Sequence, residues 1–380
     1  MIMSIDNKDK ILNVPNLRFP EFGGEWEKGS LMNIASISKG SGISKEQLSD
    51  SGLPCILYGE LYTKYKSEVI TDIYSKTDIE TKGLVSSKAN DVIIPCSGEA
   101  AIEIATARCV PMSNILLGGD LNIIRLNGHD GRFFAYQLNG KRKIDIAKVA
   151  QGVSVVHLYG EHLKKINVAY PSFAEQNKIA HLLSLIDKRI VSQNKIIEKL
   201  ESLIKGLCQK LTLQGDSNTT LNECLECYSS TLQENSVFEV GDFPVYGATG
   251  VCGYTNTPEV NRDSILIIKD GASVGATYYA SGKYSAIGTL NSLVAKKGYS
   301  LRYLYYCLKV FNFAPYRTGL AIPHIYFKDY GKAQIWCPQF EEQCRIASAL
   351  EKVEQKIATE KSLLEQLYSQ KRFLLQEMLI

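Results

Sequence analysis

The sequence predicts an α+β fold: two β-rich globular domains in a pseudo-two-fold repeat, separated by two long helices that pair antiparallel as a coiled coil. Three observations predict this class. The chain repeats itself, two stretches carry a heptad pattern of apolar residues, and the rest alternates short apolar runs with Gly, Asn, Asp and Ser. We therefore expect two copies of one unit, each a globular head followed by a helix.

The repeat is strongest between residues 152–211 and 319–378, which align without a gap at a shift of 167 residues. Of the 60 aligned positions, 17 are identical. The identical pairs include Gly152 with Gly319, His157 with His324, Tyr159 with Tyr326, Pro171 with Pro338, and Gln176 with Gln343. A duplicated unit implies a duplicated task.

Weaker matches extend the repeat toward the N-terminus. Tyr58 matches Tyr246, Asp91 matches Asp263, Leu121 matches Leu290 and Arg132 matches Arg302, at shifts of 188, 172, 169 and 170 residues. Because the shifts differ, we expect the two heads to share a scaffold and to differ in their loops. The same fold would then meet two different targets.

Short apolar runs predict the strands of the heads. The runs Val92-Ile-Ile-Pro and Ile265-Leu-Ile-Ile are typical of buried strands, and polar turns follow them at Ser97-Gly98 and Asp270-Gly271.

Two heptad seams predict the long helices, each of about forty residues or roughly 60 Å. A proline precedes each helix, at Pro171 and Pro338. The first seam is Ile179, Leu183, Ile186, Ile190, Ile197, Leu200, Ile204, Leu207 and Leu211; the second is Ile346, Leu350, Val353, Ile357, Leu364, Leu367, Lys371, Leu374 and Met378.

Chain connectivity predicts antiparallel pairing, because the second head follows the end of the first helix and precedes the start of the second. Gln193 and Glu360 are equivalent in the repeat and interrupt the two seams. We expect this polar pair to set the helix register. Apolar residues off the first seam, at Leu182, Leu185, Ile196 and Leu203, predict docked subunits.

These patterns give five segments. They are an N-terminal arm at 1–24, a first head at 25–170, a first helix at 171–213, a second head at 214–337 and a second helix at 338–380.

Composition limits the class of protein. The formal net charge is +3, which does not indicate a nucleic-acid binder by itself. No run of 18 apolar residues or secretory leader is present, so we expect a cytoplasmic protein without membrane contact. The ten cysteines are scattered, and Cys224 and Cys227 lack the second pair that a zinc site needs. We predict no metal site.

No segment predicts catalysis. The stretch from Gly247 to Gly253 lacks the Gly-Lys-Ser/Thr ending of a P-loop, and Glu80-Thr81-Lys82 is too short to indicate a nuclease. An adenine-methylase motif and helicase boxes are also absent. His157 and His324 have no evident nucleophile or metal partner, so we interpret them as structural.

Several ordered motifs resemble one family. They are Leu17-Arg-Phe-Pro-Glu-Phe-Gly-Gly-Glu-Trp26, Gly42-Ile-Ser-Lys-Glu-Gln-Leu48, Tyr58-Gly-Glu-Leu-Tyr62, Phe243-Pro-Val-Tyr-Gly247, Asp270-Gly-Ala-Ser-Val-Gly275, and Pro-x-Phe-x-Glu-Gln at both helix starts. Together with the 167-residue repeat they cover nearly the whole chain. The chain resembles the specificity subunit of type I restriction-modification systems.

The resemblance implies that each head is a target recognition domain for one half of a split site on double-stranded DNA. It implies that the helices fix the spacer between the half-sites and bind two methylation subunits, and that two restriction/translocation subunits complete the enzyme. This chain would bind no cofactor and would have no catalytic residue. S-adenosylmethionine, ATP and Mg would belong to the partner subunits.

Polar and aromatic loop residues are the candidates for DNA contact, although half of the tyrosines are equally compatible with packing on strands. The candidates are Lys45, Tyr58, Tyr62, Lys64 and Ser97 in the first head, and Tyr246, Thr249, Tyr254, Lys269 and Ser273 in the second. The recognised sequence and the spacer length do not follow from these residues.

Two other classes remain open at this stage. One is a single-chain enzyme that modifies or cleaves DNA by itself. The other is a non-enzymatic coiled-coil adaptor whose two β-rich heads bind a protein or a glycan. Binding to one bipartite duplex, lost when the spacer changes by one base pair, would distinguish the specificity subunit from the adaptor.

Overall fold

The computed structural model describes residues 13–380, so half of the predicted N-terminal arm lies outside the described residues. The chain divides into two compact units. Unit 1 contains the described residues up to Gln193 together with Leu363–Ile380, and unit 2 is Asn194–Ser362. Each unit therefore holds one head and parts of both long helices.

The described part of unit 1 builds its head from short strands and helices. The strands are β1 Glu27–Ser30, β2 Ala35–Lys39, β3 Leu53–Ile56, β4 Ser75–Thr77, β5 Asp91–Pro95, β6 Ser97–Gly98, β7 Arg108–Val110, β8 Leu116–Leu117, β9 Leu121–Leu126, β10 Val156–His157 and β11 Asn167–Tyr170. The helices are α1 Leu31–Ile34, α2 Glu60–Thr63, α3 Ala101–Ile104, α4 Gly131–Asn139, α5 Lys143–Lys148, α6 Gly160–Leu163 and the long α7 Phe173–Thr212, which continues into unit 2.

Unit 2 repeats this plan. Its strands are β12 Thr219–Thr220, β13 Leu225–Ser229, β14 Phe243–Gly247, β15 Gly250–Thr255, β16 Ser264–Ile268, β17 Thr277–Ala280, β18 Ser285–Ala286, β19 Leu290–Ala295 and β20 Gln334–Ile335. Its helices are α8 Leu221–Cys224, α9 Leu301–Val310, α10 Phe327–Tyr330 and the long α11 Phe340–Glu377, which ends in unit 1. Short 3-10 helices occur at Lys45–Gln47, Glu234–Ser236 and Ala314–Tyr316.

Sheet topology confirms that the heads share a scaffold. Head 1 has a four-stranded antiparallel sheet in the order β2-β9-β5-β7, and head 2 has β13-β19-β16-β17. Each head adds a three-stranded sheet, β4-β3-β8 or β15-β14-β18, in which the last two strands are parallel. A two-stranded ribbon at the helix start, β1-β11 or β12-β20, completes the match.

Two of the four upstream matches are wrong in register. In the ladders Val92 pairs with Ile124 and Ile265 with Leu293, so Val92 corresponds to Ile265 and Asp91 to Ser264. The error is one residue, because a strand buried on both faces has no polar alternation to fix its register.

The second wrong match involves Tyr58. Ile56 pairs with Leu117 in head 1, and Tyr246 pairs with Ala286 in the equivalent ladder of head 2. Ile56 is therefore the counterpart of Tyr246. Tyr58 follows the strand and Tyr246 lies within it. The matches at Leu121 and Arg132 are consistent with the ladders and with the starts of α4 and α9.

The predicted buried strands are confirmed. All five residues of β5 and all five of β16 are buried. They pack under α4 and α9, whose aromatic residues Phe133, Phe134 and Tyr303 are fully buried. Burial of such side chains contributes about 1.5–3 kcal/mol each.

The long helices begin after Pro171 and Pro338, as the sequence predicts. In unit 1, Ile179 to Ile190 of α7 share a core with Leu367, Leu374 and Met378 of α11. In unit 2, Ile204 and Cys208 of α7 share a core with Ile346 and Leu350 of α11. The N-terminal half of α7 thus packs on the C-terminal half of α11, and the C-terminal half of α7 packs on the N-terminal half of α11. The two helices therefore run antiparallel.

Candidate nucleic-acid interface

Four of the five candidate residues of head 1 line one groove of about 870 Å³. Lys45 comes from the 3-10 helix after β2, Tyr58 from the loop after β3, and Tyr62 and Lys64 from α2 and its end. The turn between β8 and β9, with its glycines, forms another wall. The fold thus brings Lys45 together with Tyr58, Tyr62 and Lys64, which the sequence places in one separate segment.

Glu60 holds this groove in shape. It is buried, and its Oε2 accepts a hydrogen bond from the backbone nitrogen of Leu57 at 2.9 Å. Its Oε1 accepts from Lys64 Nζ at 2.6 Å, and Lys64 Nζ also donates to Ser75 Oγ at 3.1 Å. Lys64 therefore balances the charge of a buried carboxylate, whereas Lys45 is exposed.

The phenol of Tyr62 is held in its neutral form. Burial, and then the neighbouring Tyr58, Glu103 and Glu99, raise the pKa of Tyr62 above its usual value. A neutral phenol both donates and accepts hydrogen bonds, as contact with base edges or sugars requires.

Ser97 differs from the expectation of an exposed loop residue. It lies in β6, is 9% exposed and donates from Oγ to Asp120 Oδ2 at 3.2 Å. Because Asp120 lines the groove, Ser97 positions a wall of the groove rather than its surface.

The candidates of head 2 fall into two groups. Tyr246, Thr249 and Tyr254 belong to the β14–β15 hairpin, with Thr249 and Tyr254 exposed and Tyr246 packed edge-on against Tyr284 at 5.6 Å. Lys269 and Ser273 follow β16 instead. The two groups lie on different supports within one head.

Hollows in head 2 contain cationic residues that the sequence analysis missed. Ser273 lines a hollow of about 400 Å³ together with Asn312 and Arg317. A second hollow, of about 420 Å³, contains Arg262, whose guanidinium lies 5.0 Å from the ring centroid of Tyr228. No local sequence signal marks these arginines, because their neighbours come from distant parts of the chain.

Three of the four apolar residues predicted to lie off the seam are exposed on α7, and Leu182 is half-buried against the core. Leu185, Ile196 and Leu203 are 43%, 43% and 49% exposed. In unit 1, Leu182 and Leu185 line a groove of about 640 Å³ with Leu363 of α11. These side chains leave an apolar strip exposed along α7.

The predicted register residues are buried within the helices. Gln193 is 6% exposed and Glu360 is 8% exposed, and Lys356 Nζ donates to Glu360 Oε1. Their role in the register stays a prediction.

Other features concern metals, thiols and membranes. Within residues 13–380, no group of three or more His, Cys, Asp or Glu side chains is arranged to hold a metal ion. All ten cysteines are free thiols. In this part of the chain, every helix is too short or too polar to span a bilayer.

Comparison with known proteins agrees with the fold. Residues 23–202 and 228–369, well over half of the chain, match the family model of the type I restriction modification DNA specificity domain. A crystal structure of the S subunit of a type I restriction-modification system from M. genitalium superposes over 97% of this chain and 99% of that one, with a TM-score of 0.68 and 20% identity. At that identity the superposition establishes the fold alone.

Two curated relatives share parts of the sequence. A protein described as a type I specificity subunit of Mycoplasma pneumoniae is 30% identical over 165 residues, 38% of this chain and 44% of the relative. The specificity subunit of a type I restriction enzyme of Methanocaldococcus jannaschii is 26% identical over 216 residues, 57% of this chain and 48% of the relative. The chain thus spans about half the length of these relatives. With two matched domains on one repeated scaffold, this chain belongs to the family of type I restriction modification DNA specificity domains.

Proposed function

We propose that this chain is the DNA-recognition subunit of a type I restriction-modification enzyme, in which each head recognises one half of a bipartite site. The observation that carries the proposal is the pairing of one scaffold with two different surfaces. The four-stranded and three-stranded sheets match between the heads, whereas the groove of head 1 and the hollows of head 2 lie at different places on this scaffold.

The head 1 groove supports contact with a DNA strand. It offers an exposed cation at Lys45, phenol groups at Tyr58 and Tyr62, and glycine-rich backbone that allows close approach. Cations and hydroxyls bind phosphate oxygens and base edges. In head 2 the corresponding chemistry comes from Thr249, Tyr254, Lys269 and Ser273 with Arg317.

The long helices would determine the number of base pairs between the half-sites. α7 contains 40 residues and α11 contains 38, which at about 1.5 Å per residue is close to 60 Å. Gln193 and Glu360 are our candidates for setting their register. If Gln193→Leu combined with Glu360→Leu leaves the preferred DNA spacing unchanged, this role is excluded.

Catalysis would belong to partner subunits. The exposed apolar residues of α7 and the groove beside Leu363 support docking of two methylation subunits, and two restriction/translocation subunits would complete the enzyme. S-adenosylmethionine, ATP and Mg would bind to those subunits. The chain itself would supply DNA recognition and assembly.

Mapping of methylated adenine in the genome tests the proposal. Cells that carry this chain with its neighbouring methylase are compared with cells in which the chain carries an in-frame deletion. We expect one split motif with a fixed internal gap to lose its methylation in the deletion strain. If no motif changes, and the purified assembly does not prefer any bipartite duplex, the proposal is wrong.

A further inference from the structure

Two equivalent hairpins precede the long helices. Hairpin 1 is residues 151–157 and hairpin 2 is residues 318–324. Each is closed by a pair of backbone hydrogen bonds, His157 N to Gln151 O at 2.7 Å with its reciprocal at 2.9 Å, and His324 N to Thr318 O at 2.7 Å with its reciprocal at 2.9 Å. The same turn is therefore built twice.

A glycine fixes the shape of each hairpin. Gly152 has φ of +125° and Gly319 has φ of +87°, a region that other residues rarely adopt. A Cβ at Gly152 would also lie 2.0 Å from the carbonyl oxygen of Val155, and one at Gly319 would lie 2.3 Å from that of Ile322. The turn geometry is thus specified by sequence in both copies.

The tips of both hairpins expose aliphatic side chains. Val153 is 97% exposed and Val155 is 52% exposed in hairpin 1. Their repeat counterparts, Leu320 and Ile322, are 108% and 58% exposed. Single exposed apolar residues are common on protein surfaces, but two at the same positions of a duplicated turn indicate a duplicated contact.

Backbone hydrogen bonds join each hairpin to a segment that borders a candidate DNA-contact surface. In head 1, β10 pairs with β6, and His157 lies opposite Ser97. In head 2, Gly271 N donates to Pro323 O at 3.0 Å and Ile325 N donates to Lys269 O at 2.9 Å. The hairpins therefore move with the segments that contain Ser97 and Lys269.

The surroundings of hairpin 2 favour a polyanion over an apolar protein surface. Arg317 lies directly before the hairpin and is exposed, and Lys328 Nζ lies 5.4 Å from the ring centroid of Tyr326 after it. Each hairpin ends in a histidine that stacks on the tyrosine two residues later, His157 on Tyr159 and His324 on Tyr326, and His324 Nδ1 also contacts Asp270 Oδ1 at 2.6 Å. Cations, aromatic rings and bare aliphatic groups together match the chemistry of a DNA groove.

We propose that both hairpins press their aliphatic tips against base pairs in the DNA minor groove, one at each half-site, without reading sequence. Apolar wedges of this kind partly unstack a base step. The hairpins are alike while the grooves differ, so their contact would be common to both half-sites. This inference rests on the proposed function, because it requires DNA to lie on these faces of the heads.

The test uses the chain assembled with its methylase and the split site found by methylation mapping. One variant combines Val153→Thr and Val155→Thr, which keeps the side-chain shape and replaces a methyl group by a hydroxyl. Another combines Leu320→Thr and Ile322→Thr, which adds a hydroxyl and also shortens the side chains. The control is Leu213→Thr, which alters a 64% exposed leucine outside both hairpins. Binding is measured by fluorescence anisotropy on the cognate duplex and on one with a scrambled half-site, and base unstacking by 2-aminopurine emission.

We expect each hairpin variant to bind both duplexes about tenfold more weakly, which is about 1.4 kcal/mol, while the ratio of the two affinities stays unchanged. The 2-aminopurine signal should increase with the wild-type protein and with Leu213→Thr, but not at the half-site of the altered hairpin. Unchanged affinity and emission would overturn the proposal. Loss of the methylase with normal DNA affinity would also overturn it, since the tips would then bind protein.

Failure of the wider proposal would look different. If the wild-type assembly does not distinguish the cognate duplex from the scrambled one, the DNA-recognition function fails, and the hairpin contact fails with it. If the wild type distinguishes them and the hairpin variants behave like Leu213→Thr, only the hairpin proposal is wrong.

Discussion

Units 1 and 2 make the same contact between head and helix but balance its charge differently. In unit 1, Tyr136 of α4 donates to Asp187 of α7 at 2.6 Å. In unit 2, Tyr306 of α9 donates to Glu354 of α11 at 2.8 Å. Asp187 and Glu354 are equivalent in the 167-residue repeat, so the contact itself was duplicated with the chain.

The cation beside each carboxylate comes from a different element. Glu354 pairs with Lys309 of α9 at 2.6 Å, and both side chains are partly exposed. Asp187 pairs with Lys371 of α11 at 2.7 Å, and Lys371 also reaches Glu68 of head 1 at 2.5 Å. The repeat counterpart of Lys371 is Ile204, a core residue in unit 2. In unit 1, buried ion pairs of Lys371 thus connect the head to α11. In unit 2, the equivalent helix position is occupied by the aliphatic side chain of Ile204.

Removal of the two cations should therefore have very different effects. Lys371→Met leaves Glu68 and Asp187 buried without their cation, and we expect a loss of about 3–5 kcal/mol in the free energy of unfolding of unit 1. Lys309→Met removes a partly exposed pair and should cost about 0–1 kcal/mol in unit 2. Urea titration of both variants measures the difference. Similar losses for the two variants would show that the Lys371 cluster is not buried as described.

Substitution of the two helix-start glutamines should destabilise both units. Gln176 accepts from Asp130 N at 3.0 Å and donates to Pro171 O at 2.8 Å, and Gln343 bonds to Ser300 N and Pro338 O in the same way. Both are buried, so Gln176→Met or Gln343→Met should cost about 2–3 kcal/mol by leaving backbone groups unsatisfied.

The matched controls for the glutamines are Gln209→Met and Gln376→Met, which are also equivalent in the repeat but exposed on the long helices. Denaturation of all four variants separates a buried hydrogen-bond network from a general effect of the substitution. A loss in only one unit would contradict the equivalence of the two helix starts.

Substitution of an exposed candidate residue should alter recognition of one half-site only. We expect Lys45→Ala in head 1 and Thr249→Ala in head 2 to leave stability unchanged. A residue that contacts a base edge should lose about 1–3 kcal/mol of discrimination at one position of its own half-site. Competition binding with duplexes mutated in one half-site measures this. Uniform weakening on all sequences would instead identify a phosphate contact.

The smallest expected effect is a pH dependence of the contribution of Lys371 to the stability of unit 1. Burial lowers the pKa of Lys371, but Glu68 and Asp187 outweigh it and leave the pKa above its ordinary value of 10.5. Since the raised pKa belongs to the folded state, the contribution of Lys371 is complete below pH 10.5 and is lost as pH rises through the folded pKa. The stability difference between the wild type and Lys371→Met should therefore shrink in alkaline solution. A constant difference would contradict this assignment.

Some of the scaffold could be predicted from local patterns. The runs at Val92 and Ile265 formed buried strands, and the helices began after Pro171 and Pro338 because a heptad seam and a helix-start proline are local signals. Strand register could not be predicted in the same way. In β5 every residue is buried, so sliding the match by one residue exchanges one apolar side chain for another.

The sequence predicted which residues could belong to the candidate interface, but not how they are arranged in it. Tyr58, Tyr62 and Lys64 were predicted from one segment, but their meeting with Lys45 and with the β8–β9 turn occurs only in the folded head. The sequence did not indicate that Lys64 balances buried Glu60 or that Ser97 is covered. The pairing of Lys64 with Glu60 is local, but the burial of Glu60 depends on the folded head, and Ser97 bonds to Asp120 from another part of the chain.

By itself, the sequence determined the duplication, the two long amphipathic helices and the family, because these depend on periodicity and on ordered motifs along the chain. Tertiary structure alone decided that Lys371, a seam residue, lies between Glu68 and Asp187, and that the hairpin tips at Val153 and Leu320 are bare. The physical reason is that the burial and charge pairing of these residues depend on groups that are far apart in the chain. The local sequence around each residue does not indicate which groups these are.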